Sequence, residues 1–327
     1  MRKIYDMVII GSGPAGLAAA IYGQRTKMDT LVIEKEMVSG GQVLTTYEVD
    51  NYPGLPGING YELGMKFRQH ADGLEAEVCE DTVEAIELAE EQEAEETLEA
   101  AELRLRKGGT SAPLKRIIGR KGTYLARTVV IASGAMHSKL NVPGEEAFAG
   151  MGVSYCATCD GAFFRKKVTA VVGGGDVAIE DAIFLARMCE HVYLIHRRDG
   201  LRGAKSLQEK LFSLENVTVI WDTIVEEIHG EEKVTGLTVK NVKTGECGSL
   251  AVDGVFIAVG ITPNSRPFEN LVEMDHGYIV ADETCETSVP GIFAAGDVRK
   301  KQLRQIVTAV ADGANAVTSA ERYLTEQ

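Results

Sequence analysis

Two short apolar runs bracket a glycine-rich turn near the start of the chain. Met7-Val8-Ile9-Ile10 is uninterrupted, the pattern of a strand buried on both faces. Residues 11–16 form the turn, the Ala/Leu-rich stretch 17–26 has helical character, and Leu31-Val32-Ile33 ends at Glu34. This is strand, turn, helix, strand: a βαβ unit of about 30 residues. The pattern recurs as Val168 to Val172, a glycine triplet at 173–175, a helix through about Met188, and Val192 to Ile195. Two copies about 160 residues apart predict an α/β protein with two nucleotide-binding domains. A third apolar run, Ile292 to Ala295, ends at Gly296-Asp297, and residues 305–324 read as a helix with alanine and valine on its buried side. Between the copies, Val83 to Leu88 alternates like a strand, 89–107 is helical by composition, Pro113 interrupts, and Thr128 to Ile131 reads as another strand. A β-meander carrying a helical or disordered insertion is expected there.

Composition narrows the class. The 327 residues are 45% apolar and 25% charged, proportions of a globular chain with a full core and room for about two domains. With 34 basic and 48 acidic residues the formal charge is −14, which argues against nucleic acid as a partner. No uncharged apolar run approaches a membrane span, and the N-terminus runs directly into a strand, so neither a membrane anchor nor a signal peptide is expected. Six cysteines are too sparse for a secreted framework, and a cytoplasmic setting follows. The charge is segregated: residues 75–102 hold thirteen acids and no base, and residues 103–127 hold eight bases and no acid. A solvated, self-paired surface excursion is the expectation for this stretch.

Chemistry concentrates in three motifs. Gly11-Ser12-Gly13-Pro14-Ala15-Gly16 matches G-x-G-x-x-G between strand and helix, with glycines for the tight turn, for approach of a pyrophosphate, and for helix–strand packing. Glu34 closes the next strand, where a carboxylate binds ribose hydroxyls; Lys35 beside it and Asn51 are further cofactor-binding candidates. Gly41-Gln42 could continue the path of a large ligand or be a simple turn, and Gly296-Asp297 suits a ribityl chain as well as it suits a cap. The second copy, Gly173-Gly174-Gly175-Asp176, is followed not by a carboxylate but by His196-Arg197-Arg198 and Arg202, which accommodate a 2′-phosphate and so read as NADPH. Cys156-Ala157-Thr158-Cys159 is a C-x-x-C that can close and exchange a small disulfide. Its alternatives are an inert buried pair or zinc, but no second C-x-x-C or H-x₃-H supplies further ligands, and no metal is expected. Asp160 could supply a proton to the departing thiolate, or simply cap a helix. Cys79, Cys189, Cys247 and Cys285 lack motif spacing, and buried packing is the expectation for each.

Taken together, these motifs resemble the bacterial-type, low-molecular-weight thioredoxin reductase family. The resemblance rests on the two glycine motifs, Gly40-Gly41-Gln42, Cys156-Ala-Thr-Cys-Asp160, His196-Arg-Arg-Asp-Gly-Leu-Arg202, Phe293-Ala-Ala-Gly-Asp-Val298 and Arg304-Gln305, and it covers nearly the whole chain. It implies two Rossmann-like domains, with an FAD domain (1–141 and 268–327) interrupted by an NADPH domain (142–267) that carries the disulfide. By similarity Cys159 faces the flavin, Cys156 attacks the carrier disulfide, and Asp160 is the acid–base residue. Electrons would pass from NADPH through FAD to thioredoxin or a similar carrier, in a homodimer. Nicotinamide and dithiol would share one domain and one flavin, so that domain is expected to swing between two orientations. The chain departs from the family at residues 89–122, longer and more charged than usual, and at Ser133, where threonine is usual. The alternatives are a reductase of another disulfide carrier, a ferredoxin-dependent relative, and a flavin-binding redox sensor without turnover.

Overall fold

The computed structural model describes residues 3–46, 49–89 and 113–326. The chain is a mixed α/β protein that divides into two compact units. Over the described residues the first comprises Met1–Leu44, Gly60–Met136 and Pro263–Gln327, and the second Thr45–Asn59 and His137–Thr262. The crossings at 136/137 and 262/263 each fall five residues before the boundary expected from sequence. Local bonding accounts for both. Leu140 and Val142 pack on the second unit's core, and Glu145 accepts the Leu140 and Asn141 N–H groups at 3.0 and 2.6 Å. After the second crossing, Asn264 and Ser133 exchange two bonds of 2.8 Å, and Phe268 is buried in the first unit's core. Ser133 thus keeps the hydroxyl that the usual threonine would offer.

The first unit opens with β1 (Ile4–Ile10), α1 (Pro14–Arg25) and β2 (Thr30–Glu34), with β1 and β2 parallel. Proline at the first helical position costs α1 nothing, since that N–H has no intrahelical partner. Next come α2 (Gly60–Gly73) and β3 (Glu77–Glu80), then the meander β4 (Val83–Leu88), β5 (Lys115–Gly119) and β6 (Thr123–Ile131). The sheet runs β3-β2-β1-β6-β5-β4, with β4–β5 and β5–β6 antiparallel, as the alternating pattern predicted. The helical reading of 89–107 falls almost wholly on 90–112, outside the described residues. The segregated charges meet across the strands: Glu80 with Lys121 at 2.6 Å, Glu84 with Arg120 at 2.9 Å, and Glu87 with Arg116 at 3.3 Å. These pairs are exposed and screened by water, so they favour register more than stability.

In the second unit a short helix α3 (Ala157–Asp160) carries the C-x-x-C. It precedes β7 (Val168–Gly173), α4 (Asp176–Ala186), β8 (His191–Ile195) and β9 (Val217–Ile220). An antiparallel sheet follows, β10 (Thr223–Gly230), β11 (Val234–Asn241) and β12 (Cys247–Ala251), and then β13 (Gly254–Ala258). The parallel sheet β9-β8-β7-β13 ends on Val153–Ser154. Its faces have different cover. Val171, Leu194 and Phe256 pack with Ala178, Ala182 and Leu185 of α4, while Ala170, Ile195 and Val255 pack with Val225, Ile228 and Leu237 of the antiparallel sheet. The expectation of buried cysteines holds for Cys189 and Cys285, but Cys79 is only half-buried and Cys247 is exposed, because β12 is an edge strand with little cover.

Returning to the first unit, β14 (Ile292–Ala294) pairs parallel with the end of β6, and α5 (Ile306–Glu326) crosses α1. A Cβ on Gly313 would overlap the Ala15 carbonyl, so glycine is what lets the two helices close. The unbroken apolar run of β1 now has its explanation. Met7 and Ile9 join a core with Leu17, Ala20, Val317 and Ala320, and Val8 and Ile10 join another with Ile33, Ile117, Ile131 and Phe268. Each wholly buried Val, Leu or Ile stabilises the unit by about 1.5–3 kcal/mol. Among the described residues no helix is long and apolar enough to cross a membrane.

One basic residue of the meander turns inward. Lys115 is fully buried, its Nζ donating to the Tyr323 hydroxyl at 3.2 Å. Burial pulls its ammonium down from 10.5 to about 8. Between those values the unfolded chain binds more protons than the folded one, so this group makes stability rise with pH there; its cost is fully present below the folded value. Unfolding free energies of the native chain and Lys115→Met from denaturant titration, compared from about pH 8 to about pH 10.5, should diverge by about 3 kcal/mol in favour of the native chain. Parallel curves would show that Lys115 is not held in this way.

Candidate active site

The first cradle is built from backbone approaches that exclude side chains. Gly11 has φ +103°, and a Cβ there would lie 2.5 Å from the Ala132 carbonyl oxygen; one on Gly16 would overlap the Gly11 carbonyl. Gly13, by contrast, has nothing nearer its Cβ position than the Gly41 Cα at 4.0 Å, which leaves space over the start of α1. Pro14 and Ala15 begin that helix and Ser12 is buried behind the loop. Glu34 organises the turn: one carboxylate oxygen accepts the Ser12 N–H and hydroxyl, both at 2.6 Å, and the other accepts the Glu36 N–H at 3.1 Å. The Ser12 hydroxyl is therefore committed to Glu34. Gly40 donates to the Ser12 carbonyl at 2.9 Å, and the Gln42 amide donates to the Ala135 carbonyl. Lys35 is exposed, 3.7 Å from Glu36.

From the other end of the chain, Gly296 (φ +78°) brings its Cα against Ala15, where an added Cβ would sit 2.9 Å from the Ala15 Cβ. Asp297 follows, and its Oδ1 is buried without a hydrogen-bond partner. Burial pushes this carboxyl up, opposed by the charges of Lys301 and Arg304. Arg304 lies 4.1 Å over the Tyr278 ring with its Nε likewise buried and unpartnered, and the Gln305 N–H donates to Thr308 at the start of α5. A glycine-lined opening at a helix N-terminus, an orphaned acceptor and an orphaned donor suit a phosphate-bearing, hydroxyl-rich ligand such as FAD. Asn51 lies in the segment 45–59, which groups with the second unit.

In the second cradle, a Cβ on Gly173 would lie 2.6 Å from that of Ala178, and one on Gly174 would overlap the His196 ring, whereas Gly175 faces open space. The Asp176 carboxylate accepts the Ala204 N–H at 2.7 Å and the Arg202 N–H donates to the Gly174 carbonyl at 2.7 Å, so the turn after β8 is tied to the loop. Arg197, Arg198 and Arg202 are exposed beside it. His196 is not. It is 4% exposed, burial and then the Arg202 and Arg198 charges depress its pKa, and its ring underlies Gly174. The four basic residues grouped by sequence therefore separate into three solvent-facing cations and one buried support. Trp221, which sequence reasoning did not single out, stands edge-on to His196 at 6.4 Å.

Cys156 and Cys159 are joined in a disulfide across the first turn of α3. Asp160 makes no side-chain cap bond to the turn that follows, which removes the capping explanation. Instead its Oδ2 accepts the Ser154 hydroxyl at 2.6 Å, while its Oδ1 is buried without a partner. Burial pushes the Asp160 carboxyl up, partly offset by the Ser154 bond. Ser154 also accepts the Cys156 N–H at 3.1 Å and so ties the carboxyl to the disulfide segment. Its only signal in the sequence is a hydroxyl between Val153 and Tyr155. Among the described residues no three His, Cys, Asp or Glu side chains group as a metal site.

A family model for pyridine nucleotide-disulphide oxidoreductases matches residues 5–313. The thioredoxin reductase of Bacillus subtilis (strain 168) is 44% identical over 327 residues, covering 99% of this chain and 96% of that protein. The thioredoxin reductase of Listeria monocytogenes is 45% identical over 327 residues, covering 99% of this chain and 95% of that protein. A crystal structure of thioredoxin reductase from Streptococcus pyogenes superposes with a TM-score of 0.89 at 41% identity, covering 100% of both chains.

The two glycines of the second loop should respond differently to alanine. Gly174→Ala must displace the buried His196 ring and should lower stability by about 2 kcal/mol or more, whereas Gly175→Ala, with open space, should stay within about 1 kcal/mol of the native chain. Equal denaturant midpoints for the two variants would contradict this packing.

Proposed function

The chain belongs to the pyridine nucleotide-disulphide oxidoreductase family, and from that membership we infer how its residues divide the work of disulfide reduction. It is an oxidoreductase that uses NADPH and FAD to reduce the disulfide of thioredoxin. FAD, when bound, supplies the ring that takes a hydride from NADPH and passes an electron pair onward. The Gly11–Gly16 loop and the N-terminus of α1 hold the pyrophosphate, and Glu34 faces the ribose hydroxyls. Asp297 accepts from the ribityl chain, and Gln42, Arg304 and Gln305 flank the ring system; Lys35 is an outer contact. In the second unit the Gly173–Gly175 loop and Asp176 hold NADPH, with Arg197, Arg198 and Arg202 on its 2′-phosphate and His196 supporting the loop from below.

The observation that carries this reading is the disulfide beside a carboxyl with one oxygen unclaimed. Cys159 receives the electron pair as the Cys156–Cys159 bond breaks, and two electrons with two protons leave both residues as thiols. Asp160, held toward its protonated form by burial, gives and retrieves one of those protons. Cys156 then attacks the thioredoxin disulfide as thiolate, forming a mixed disulfide and releasing one carrier thiol. Cys159 resolves it, which frees the second carrier thiol and restores the starting disulfide. NADPH and the dithiol belong to one unit and serve one flavin, so they are presented in turn. The intact glycine loop and its three arginines favour a pyridine nucleotide over ferredoxin as donor. A homodimer working in the cytoplasm completes the reading.

Anaerobic addition of NADPH to the flavin-loaded protein should expose two new thiols per chain, from Cys156 and Cys159. Cys156→Ser should keep flavin reduction by NADPH within about twofold while lowering thioredoxin reduction by about a thousandfold or more. Retained thioredoxin reduction would refute the role given to Cys156. Neutralising Arg197, Arg198 and Arg202 together should raise the KM for NADPH about a hundredfold and leave that for NADH within about twofold. Unchanged discrimination would place the 2′-phosphate elsewhere.

A further inference from the structure

Asp312 lies on α5, in the interior of the first unit, and is 3% exposed. Its carboxylate takes four donors: Arg299 Nη2 at 2.8 Å on Oδ1, and Arg299 Nε at 2.9 Å, Lys301 Nζ at 2.7 Å and the Gly296 N–H at 2.9 Å on Oδ2. With three donors on Oδ2 and one on Oδ1, this carboxylate is committed to internal partners. Asp297, one residue beyond Gly296, differs: it is half-buried, and its buried Oδ1 is unclaimed. Lys301 Nζ and the Gly296 N–H meet on Oδ2 of Asp312, which sets this cation beside the segment that carries Asp297, and its charge acts on Asp297 as well. Arg299 has further acceptors in the Ala281 carbonyl at 3.2 Å and Glu283 at 3.4 Å, which leaves Lys301 as the cation that depends on Asp312.

We propose that Asp312 is a positioning residue of the flavin site: it sequesters Lys301 and pins the Gly296 N–H, which keeps the Asp297 carboxylate free for a ribityl hydroxyl. The geometry makes the sequestration necessary. Gly296 is wedged against Ala15 at φ +78°, so the corner cannot rotate to offer Asp297 a different way round. A buried ammonium deprived of one carboxylate turns to the next within reach, because an unpaired buried charge is strongly unfavourable. Without Asp312 that next carboxylate is Asp297, and an ion pair there would occupy the oxygen the cofactor needs. The inference rests on the assignment of FAD to the first unit.

The test is the dissociation constant for FAD, read from flavin fluorescence during reloading of the apoprotein, together with the visible spectrum of the bound flavin and the thermal midpoint of the apoprotein. Asp312→Asn should weaken FAD about tenfold and alter the bound spectrum, and the double variant Asp312→Asn/Lys301→Met should regain most of the lost affinity. Lys301→Met alone, which leaves Asp312 paired with Arg299, should bind FAD within about twofold of the native chain; a loss of affinity there would overturn the proposal, even if Asp312→Asn cannot be purified folded. Native affinity and spectrum in Asp312→Asn, with only its thermal midpoint lowered, would reduce Asp312 to a structural ion pair and overturn it as well. Equal weakening in the single and double variants would refute the sequestration. Failure of the native chain to bind FAD would instead remove the assignment on which the inference stands.

Discussion

A nucleotide's phosphates can reach a helix N-terminus only where backbone meets backbone with no side chain between, and the molecule is built around that constraint. Gly16 sits over the Gly11 carbonyl, Gly11 against the Ala132 carbonyl, and Gly313 over the Ala15 carbonyl. Each approach is closer than any Cβ tolerates. The consequence is cumulative: α1 presses onto β1, α5 presses onto α1, and Gly296 is wedged against Ala15, so the segment carrying Asp297 has one place to go. The second unit repeats the device with a different lock, the buried His196 ring filling the space a side chain at Gly174 would need.

Polar groups inside these packed units divide by whether their hydrogen-bonding capacity is spent. Ser12, Glu34 and Asp312 have internal partners and shape the loops around them. Asp160, Asp297 and Arg304 each keep one buried polar atom without a partner, a costly condition in a folded protein. Those residues lie at the disulfide and in the first cradle, the places proposed for the exchange of electrons, protons or a ligand. The distinction is not absolute, since Thr169 Oγ1 and His196 Nε2 of the second unit are also buried without a partner.

Much of this was legible in the sequence because it is local. The glycine spacing, the apolar runs on either side and the C-x-x-C each need only a dozen neighbouring residues to be read, and the strand over Val83–Leu88 showed in its alternation. What escaped depends on partners distant in the chain. His196 looks like a fourth phosphate-binding cation until the fold buries it beneath Gly174; Lys115 looks like one more surface base until Tyr323 arrives over it from α5. Ser154 and Asp312 belong to no motif, and their importance lies in what they bond: one carboxyl in the same short stretch, and two cations with a glycine N–H near the other end of the site. Cys247 was misread for the converse reason, since an edge strand gives a cysteine no cover however apolar the residue itself.

The interrupted first unit has a consequence for how the chain matures during synthesis. Its parallel sheet lacks β14, and one face of β1 lacks α5, until the ribosome has passed residue 326. The inserted unit, whose strands β7 to β13 follow one another closely, can condense earlier. Met7, Ile9 and Leu17 meanwhile remain an open greasy surface, waiting for Val317 and Ala320. The long interval between these partners makes the first unit the slower to mature and the one with more reason to engage chaperones. A stop codon placed a few dozen residues early would thus be more damaging than its length suggests, since it removes the lid from the core formed at the very beginning of the chain.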